Sequence, residues 1–170
     1  MGSHWRWGLL NLVAALLIAG LLAEGAVGGR GASSPLPNTE RQRILALFGS
    51  TYLPSWIPPG FVYVQWKSKP GSASVYGNFL EVDFANHGSL LEWVVGDSRD
   101  PDYYGNDACS RHPFNARVYV QNGRRVVFQA GNHGDTATLC LHGTAIYVWN
   151  DHRVTPATMA KVVARARLAG

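Results

Sequence analysis

The strongest constraint on the fold is a succession of short apolar segments that are separated by tight turns. The clearest turn is Asn122-Gly123, which has β-branched and aromatic residues on both sides. Asn and Gly both tolerate positive φ, and a two-residue turn of this kind joins antiparallel strands into a hairpin. Similar turns are indicated at His142-Gly143-Thr144 and at Asn86-His87-Gly88. Because consecutive hairpins leave no place for crossover helices, the sequence excludes a parallel, doubly wound sheet.

Seven segments show the two-residue alternation or the β-branched and aromatic content that is typical of strands. They are residues 61–66, 78–85, 90–95, 116–121, 124–130, 136–142 and 144–150. A short amphipathic helix, with Thr39 as its cap and Gly49 at its end, is predicted ahead of them. A second helix is predicted over residues 155–168, with a proline in its first turn. The expected fold is α+β: an antiparallel sheet of about six or seven strands, a covering C-terminal helix and one short N-terminal helix.

The N-terminal region has the layout of a secretory signal. Residues 7–23 form an almost unbroken apolar run, with Arg6 before it and mostly small residues after it. A cleavable signal that ends at Gly25 is preferred over an uncleaved membrane anchor of residues 7–27, because a spanning helix needs about 20 apolar residues. The sequence thus predicts a secreted or membrane-anchored extracytoplasmic protein with a signal or anchor (1–25), a flexible linker (26–38) and one domain (39–170). Membrane contact is expected only through an uncleaved N-terminal segment.

The chain has two cysteines, Cys109 and Cys140. Export to an oxidising compartment predicts that they form a disulfide, and two separate buried cysteines are the competing interpretation. A zinc site is disfavoured because there is no C-x-x-C spacing. Residues 96–113, which include Cys109, lack an apolar period and are long for a connection. A functional loop and a merely tolerated connection both fit this segment.

The charge pattern argues against nucleic-acid binding. The net charge is +4 and the isoelectric point is about 9.3, but the basic residues are scattered instead of forming a stripe. No nucleic-acid partner is therefore expected. No cofactor is expected either, because no residue pattern in the sequence identifies a reaction or a ligand.

Histidine and aspartate residues near the predicted turns are candidates for catalysis or metal binding. They are His112, His133, Asp135, His142 and His152. Neither an H-E-x-x-H motif nor a G-x-S-x-G nucleophile elbow occurs in the sequence. Residues 131–135 fit a turn better than a catalytic loop, and residues 151–152 fit a support for the cap of the last helix. A small secreted hydrolase that uses a histidine–carboxylate pair is therefore the alternative function, and a metal site is less favoured still.

Three tryptophans on predicted strands are candidates for ligand binding. Trp66, Trp93 and Trp149 are expected to pack in the core, as most strand tryptophans do. The competing interpretation is a concave sheet face that is lined by these aromatic rings and binds a lipid, a glycan or a partner peptide.

The order of several segments resembles an uncharacterised extracytoplasmic α+β domain. These segments are Tyr52-Leu53-Pro54, Pro58-Pro59-Gly60-Phe61, the hairpin of residues 118–124, and residues 145–149 followed by a closing helix. That domain is common in bacterial membrane-anchored and secreted proteins, often on the outer side of anti-sigma-factor-like proteins. It is a distant relative of the lipoprotein-carrier and sigma-regulator sensor (LolA/RseB-like) fold.

The resemblance implies a non-enzymatic role in sensing or binding and supplies no site residues. The expected function is a binding or sensing module at the outer face of the bacterial cell envelope. The ligand or partner would be a lipid, a glycan or an envelope protein.

Overall fold

The computed structural model describes residues 34–70, 77–99, 109 and 116–170. The predicted signal or anchor and most of the predicted linker lie outside these residues. Within the described ranges, every helix is too short or too polar to cross a membrane. In chain order the elements are α1 Asn38–Phe48, β1 Thr51–Pro54, β2 Val62–Pro70, β3 Asn78–Asn86, β4 Ser89–Asp97, β5 Arg117–Gln121, β6 Arg124–Ala130, β7 Asp135–Leu141, β8 Thr144–Asn150, α2 Pro156–Val163 and β9 Ala166–Ala169.

The fold is α+β, as the sequence predicts. Seven strands form one antiparallel sheet in the order β2-β3-β4-β8-β7-β6-β5, and β1 pairs with β9 in a separate two-stranded sheet. The large sheet therefore consists of two meanders, β2 to β4 and β5 to β8, which meet where β4 pairs with β8.

The turns confirm the local predictions. Asn122 and Gly123 have φ values of 53° and 71°, as a two-residue hairpin turn between β5 and β6 requires. Positive φ also occurs at His142-Gly143, between β7 and β8, and at His87-Gly88, between β3 and β4. The predicted disulfide is confirmed as well, because Cys109 is bonded to Cys140 of β7.

Helix α2 covers one face of the large sheet. Thr155 caps it, because the Thr155 side chain accepts a hydrogen bond from the backbone N–H of Thr158, and Pro156 follows in the first turn. The buried residues Met159, Val162 and Val163 pack against the half of the sheet that β5 to β8 form. Burial of this apolar stripe holds the helix in place.

The predicted end of the last helix is wrong. The helix stops at Val163, and residues 166–169 instead form β9, in which Leu53 of β1 pairs with Arg167. Ala166 and Ala169 are buried, whereas Leu168 is 64 % exposed, so Leu168 does not belong to an apolar helical stripe. Pairing with β1, more than 110 residues away, overrides the local helical pattern.

The predicted cap of the first helix is also wrong. Helix α1 begins at Asn38 with Pro37 at its N-cap, and no side chain there accepts a capping hydrogen bond. Thr39 lies inside the first turn. The predicted C-terminal end is correct, since Gly49 follows the helix with a φ of 69° and its N–H donates to the carbonyl oxygen of Leu45.

Candidate functional site

Side chains along each strand of the large sheet alternate between two faces. The first, which we call the helix face, carries Val82, Trp93 and Val148 in one row and packs against α1, α2 and β1. The second, which we call the Cys140 face, carries Glu81, Val94, Tyr147 and Cys140. Functional groups on these two faces meet different surroundings.

Trp66 and Trp93 belong to the helix face. Trp93 is 0 % exposed, and its indole N–H donates a hydrogen bond of 3.2 Å to the carbonyl oxygen of Tyr52. Trp66 is half-buried against the same core and donates to Glu40 Oε2 at 2.9 Å. These two indoles therefore connect the large sheet to β1 and to α1, which fits the interpretation of core packing.

Trp149 lies on the Cys140 face. Together with Phe79 and Cys109 it packs around a small apolar cluster of Val94, Ala145 and Tyr147. The backbone of Gly134 lies directly against its ring, since a Cβ atom at this glycine would be 2.4 Å from the indole. The structure thus separates the three candidate tryptophans, with two on one face of the sheet and one on the other.

Among the candidate histidines and aspartates, the structure brings Asp135 and His152 together. Asp135 begins β7 and His152 follows β8, and Asp135 Oδ1 lies 3.1 Å from His152 Nδ1. Asn150 builds the turn that carries His152. Its buried side-chain oxygen accepts hydrogen bonds from the backbone N–H groups of Arg153 and Val154, at 2.8 and 2.7 Å. The carboxylate holds one imidazole nitrogen, as it does in histidine–carboxylate pairs of enzymes.

The other candidate histidines lie elsewhere. His133 is exposed in the turn between β6 and β7, where the N–H of Gly131 donates to the carbonyl oxygen of Gly134, as expected for a turn. His142 is exposed in the turn at the opposite end of β7 from Asp135. His112 lies outside the described residues. The hydroxyl of Ser89 donates to Asp151 Oδ1 at 2.8 Å and not to His152.

A cavity of about 650 Å³ opens between the small sheet and one end of the large sheet. Its lining includes Phe48 of α1, Leu168 of β9 and, from the large sheet, Asn78, Val95 and Thr144. The sequence gives no local sign of this cavity, because its walls come from six separate elements. His142 is the only candidate residue from the sequence that contributes to its described lining.

The polar side of the cavity includes an ordered ion pair. Arg99 donates from Nε to Asp97 Oδ1 at 2.9 Å and from Nη2 to Asp97 Oδ2 at 2.6 Å. These hydrogen bonds lower the pKa of Asp97. Ser98 anchors the segment, since its N–H and its hydroxyl both donate to the carbonyl oxygen of Gly143, at 3.0 and 2.8 Å. The cavity wall therefore carries fixed hydrogen-bonding groups beside apolar ones.

A cluster of charged side chains lies on the Cys140 face of the meander that β2, β3 and β4 form. It contains Glu81 and Asp83 of β3, Glu92 of β4, and Lys67 and Lys69 of β2. Its sequence signal is a charge pattern of period two, Lys-x-Lys on one strand and Glu-x-Asp on the next. That pattern places each pair on one face, but only the register shows that the pairs and Glu92 meet.

The chain matches no model of a known protein family and no curated protein.

Proposed function

We propose that this chain is a non-enzymatic binding or sensing module at the outer face of the bacterial cell envelope, and that the cavity between the two sheets receives its ligand. The cavity carries this proposal. Its volume of about 650 Å³ lies within the range of about 300–1,000 Å³ that is usual for small-molecule sites. Its lining places apolar side chains such as Phe48, Val95 and Leu168 beside a larger number of polar groups, several of which are held by hydrogen bonds, so it is more polar than a usual small-molecule pocket.

The disulfide supports the proposed compartment. Disulfides persist in oxidising environments outside the cytoplasm and are rare inside it. The bond between Cys109 and Cys140 is therefore compatible with a secreted or membrane-anchored domain. The proposed relationship to the extracytoplasmic LolA/RseB-like domains agrees with such a location.

The lining favours a ligand that has both an apolar and a polar portion. Phe48 and Leu168 offer carbon surface, whereas Asn78 and the Asp97–Arg99 pair offer donors and acceptors. Asp97 and Arg99 neutralise each other, so the pocket is not built around one strong charge. A lipid or a glycan of the envelope meets this description better than a highly charged metabolite.

The test is a binding assay with one variant inside the cavity and one outside it. Leu168→Arg places a charge in the cavity at an exposed position. Val120→Arg is the control, because it places a charge on the exposed edge strand β5, at a residue that does not line the cavity. Probes are vesicles of the zwitterionic lipid phosphatidylcholine, whose lack of net charge avoids attraction of the added arginine, and a soluble peptidoglycan fragment. We expect one probe to bind, with at least tenfold weaker binding to Leu168→Arg and unchanged binding to Val120→Arg. Equal binding to both variants would contradict the cavity as the site.

A second candidate function is hydrolysis, and the Asp135–His152 contact of 3.1 Å favours it. The carboxylate would orient the imidazole so that its other nitrogen could act as a general base. A screen with generic ester, phosphate and glycoside substrates tests this alternative. Removal of a general base typically lowers the rate by about 10²–10⁴-fold. Turnover that disappears in His152→Ala and in Asp135→Asn would replace the binding proposal with this one.

A further inference from the structure

The charged cluster on the Cys140 face places three carboxylates close together. Glu81 and Asp83 are two residues apart on β3, so they share a face, and Glu92 is directly opposite Asp83 in the register of β3 and β4. One oxygen from each of the three carboxylates lies within 4.8 Å of the other two. Like charges in directly opposite positions destabilise a sheet, so this arrangement requires compensating cations.

Two lysines supply part of the compensation. Lys67 Nζ lies 2.9 Å from Glu81 Oε1 and 3.1 Å from Asp83 Oδ2, and Lys69 Nζ pairs with Glu81 Oε2. Gln65 adds a hydrogen bond of 2.7 Å to Asp83 Oδ2. Burial alone would raise the pKa of Glu81, but the hydrogen bonds from Lys69 and Lys67 outweigh it and lower that pKa. Both oxygens of Glu81 are therefore satisfied.

The other two carboxylates are not fully compensated. Asp83 is only 3 % exposed, and its buried Oδ1 atom accepts no hydrogen bond from any described residue. An unsatisfied buried oxygen of a charged group is costly, and native structures contain few of them. Glu92 forms no side-chain hydrogen bond or ion pair with any described residue. Burial and the nearby charges of Glu81 and Asp83 raise the pKa of Glu92. Among the described residues, three carboxylates thus face two ammonium groups.

We propose that Glu81, Asp83 and Glu92 form a binding site for a divalent cation of the Ca²⁺, Mg²⁺ and Mn²⁺ class. Carboxylate oxygen is the ligand type that these ions prefer. The three oxygens lie within 4.8 Å of one another, which is close enough for one ion to contact all three at bond lengths of about 2.0–2.6 Å. Oδ1 of Asp83 supplies a ligand atom that no donor in the described part of the chain occupies.

The two lysines would compete with the ion. Their side chains are 41 % and 46 % exposed, so both ammonium groups can move into solvent while the carboxylates stay on the sheet. At Glu81 and Asp83, the lysine ion pairs and a bound metal ion are therefore mutually exclusive. Weak affinity follows, similar to that of extracellular calcium modules, whose dissociation constants are about 10⁻⁴–10⁻³ M. This site is separate from the proposed ligand cavity, which none of the three carboxylates lines.

Calorimetric titration of the full chain with CaCl₂ and with MnCl₂ tests the proposal. We expect one saturable site, with affinity reduced at least tenfold in Asp83→Asn and in Glu92→Gln. Glu40→Gln is the matched control, because it removes a partly buried carboxylate on α1 and leaves the cluster intact. Glu92→Gln breaks no ion pair, so it should fold normally even if Asp83→Asn does not. Unchanged binding in Glu92→Gln, or no saturable binding of either ion by the natural chain, would overturn the site.

A lysine variant and a magnetic measurement distinguish this site from ordinary surface binding. Lys67→Gln removes the competing cation from Glu81 and Asp83, so we expect metal affinity to increase at least threefold. A cluster that merely shares a proton between Glu92 and Asp83 would show no such increase. In nuclear magnetic resonance spectra, Mn²⁺ should broaden the backbone signals of residues 81–83 and 92 first. Broadening centred on Asp135 and His152 instead would refute the assignment.

Discussion

The two faces of the large sheet are built by the same strands but differ in chemistry. On the helix face, Val82, Trp93 and Val148 are each 0 % exposed and pack beneath α2 and β1. One residue further along the same strands, the Cys140 face carries carboxylates, lysines and a smaller apolar cluster. Alternation along a strand therefore lets one face provide most of the burial while the other holds polar groups that a core would not tolerate.

Substitution of Trp93 should have the largest effect on the free energy of unfolding, because this residue is fully buried in the core on the helix face. Trp93→Ala would leave a large cavity in the core and remove the hydrogen bond to Tyr52. We expect a loss of about 3–5 kcal/mol in the free energy of unfolding, measured by urea denaturation. Val120→Ala, at an exposed edge position, should change stability by less than about 0.5 kcal/mol. A loss below about 1 kcal/mol for Trp93→Ala would remove the distinction between the faces.

The disulfide provides the second largest effect and belongs to the other face. Its two cysteines are 31 residues apart, and a loop of that length corresponds to a stabilisation of about 2–4 kcal/mol. The double variant Cys109→Ala/Cys140→Ala should lose this amount in urea denaturation. Added reductant should destabilise the natural chain by a similar amount and leave the variant unchanged. Equal sensitivity of both proteins to reductant would contradict the prediction.

Gly134 tests the packing around Trp149 on the Cys140 face. A Cβ atom at residue 134 would lie 2.4 Å from the indole, so Gly134→Ala should cost about 1–3 kcal/mol through overpacking. The second variant is Gly134→Ala/Trp149→Leu, which removes the obstructing ring. The cost of the alanine should shrink in that background, as a double-mutant cycle in thermal or urea denaturation would show. Strict additivity of the two substitutions would mean that the ring is free to move away.

Substitution of Asp97 should give the smallest effect. This residue lies at the end of β4, where the helix face lines the cavity instead of the buried core. Arg99 lowers the pKa of folded Asp97, so this pair stabilises the protein above the unfolded pKa of about 3.9 and ceases to do so as the pH falls through the folded value. Because Arg99 is largely exposed, Asp97→Asn should cost less than about 1 kcal/mol at pH 7. In urea denaturation, the difference from the natural chain should shrink toward zero as the pH is lowered through the folded pKa of Asp97. A difference that persists below that pKa would point to a cause other than the ion pair.

Local chemistry made much of this fold predictable. The Asn122-Gly123 turn, the alternation on either side of it and the cap at Thr155 each depend on a few neighbouring residues, and the structure confirms them. The β1–β9 pairing was not predictable in this way, because its partners are more than 110 residues apart and residues 164–168 fit a helical period.

The candidate sites were less predictable than the fold. The sequence pointed to Asp135 and His152 among several candidates, and the structure brings these two together. The cavity needs six elements to be in place, and the carboxylate cluster needs the β3–β4 register, in which Asp83 faces Glu92. Neither arrangement leaves a compact motif, so both require the three-dimensional structure to be found.

The bond between Cys109 and Cys140 also determines how the chain responds to force. It closes a loop that contains β5, β6 and most of β7, so pulling on the chain from both sides of the domain cannot stretch those strands while the bond is intact. At about 3.3–3.6 Å per residue, the 31-residue separation hides about 100–110 Å of contour length. In a single-molecule stretching experiment, that length should appear only after reduction. A protease that unfolds its substrate by pulling it through a pore would likewise have to pull two linked segments of the chain through that pore side by side.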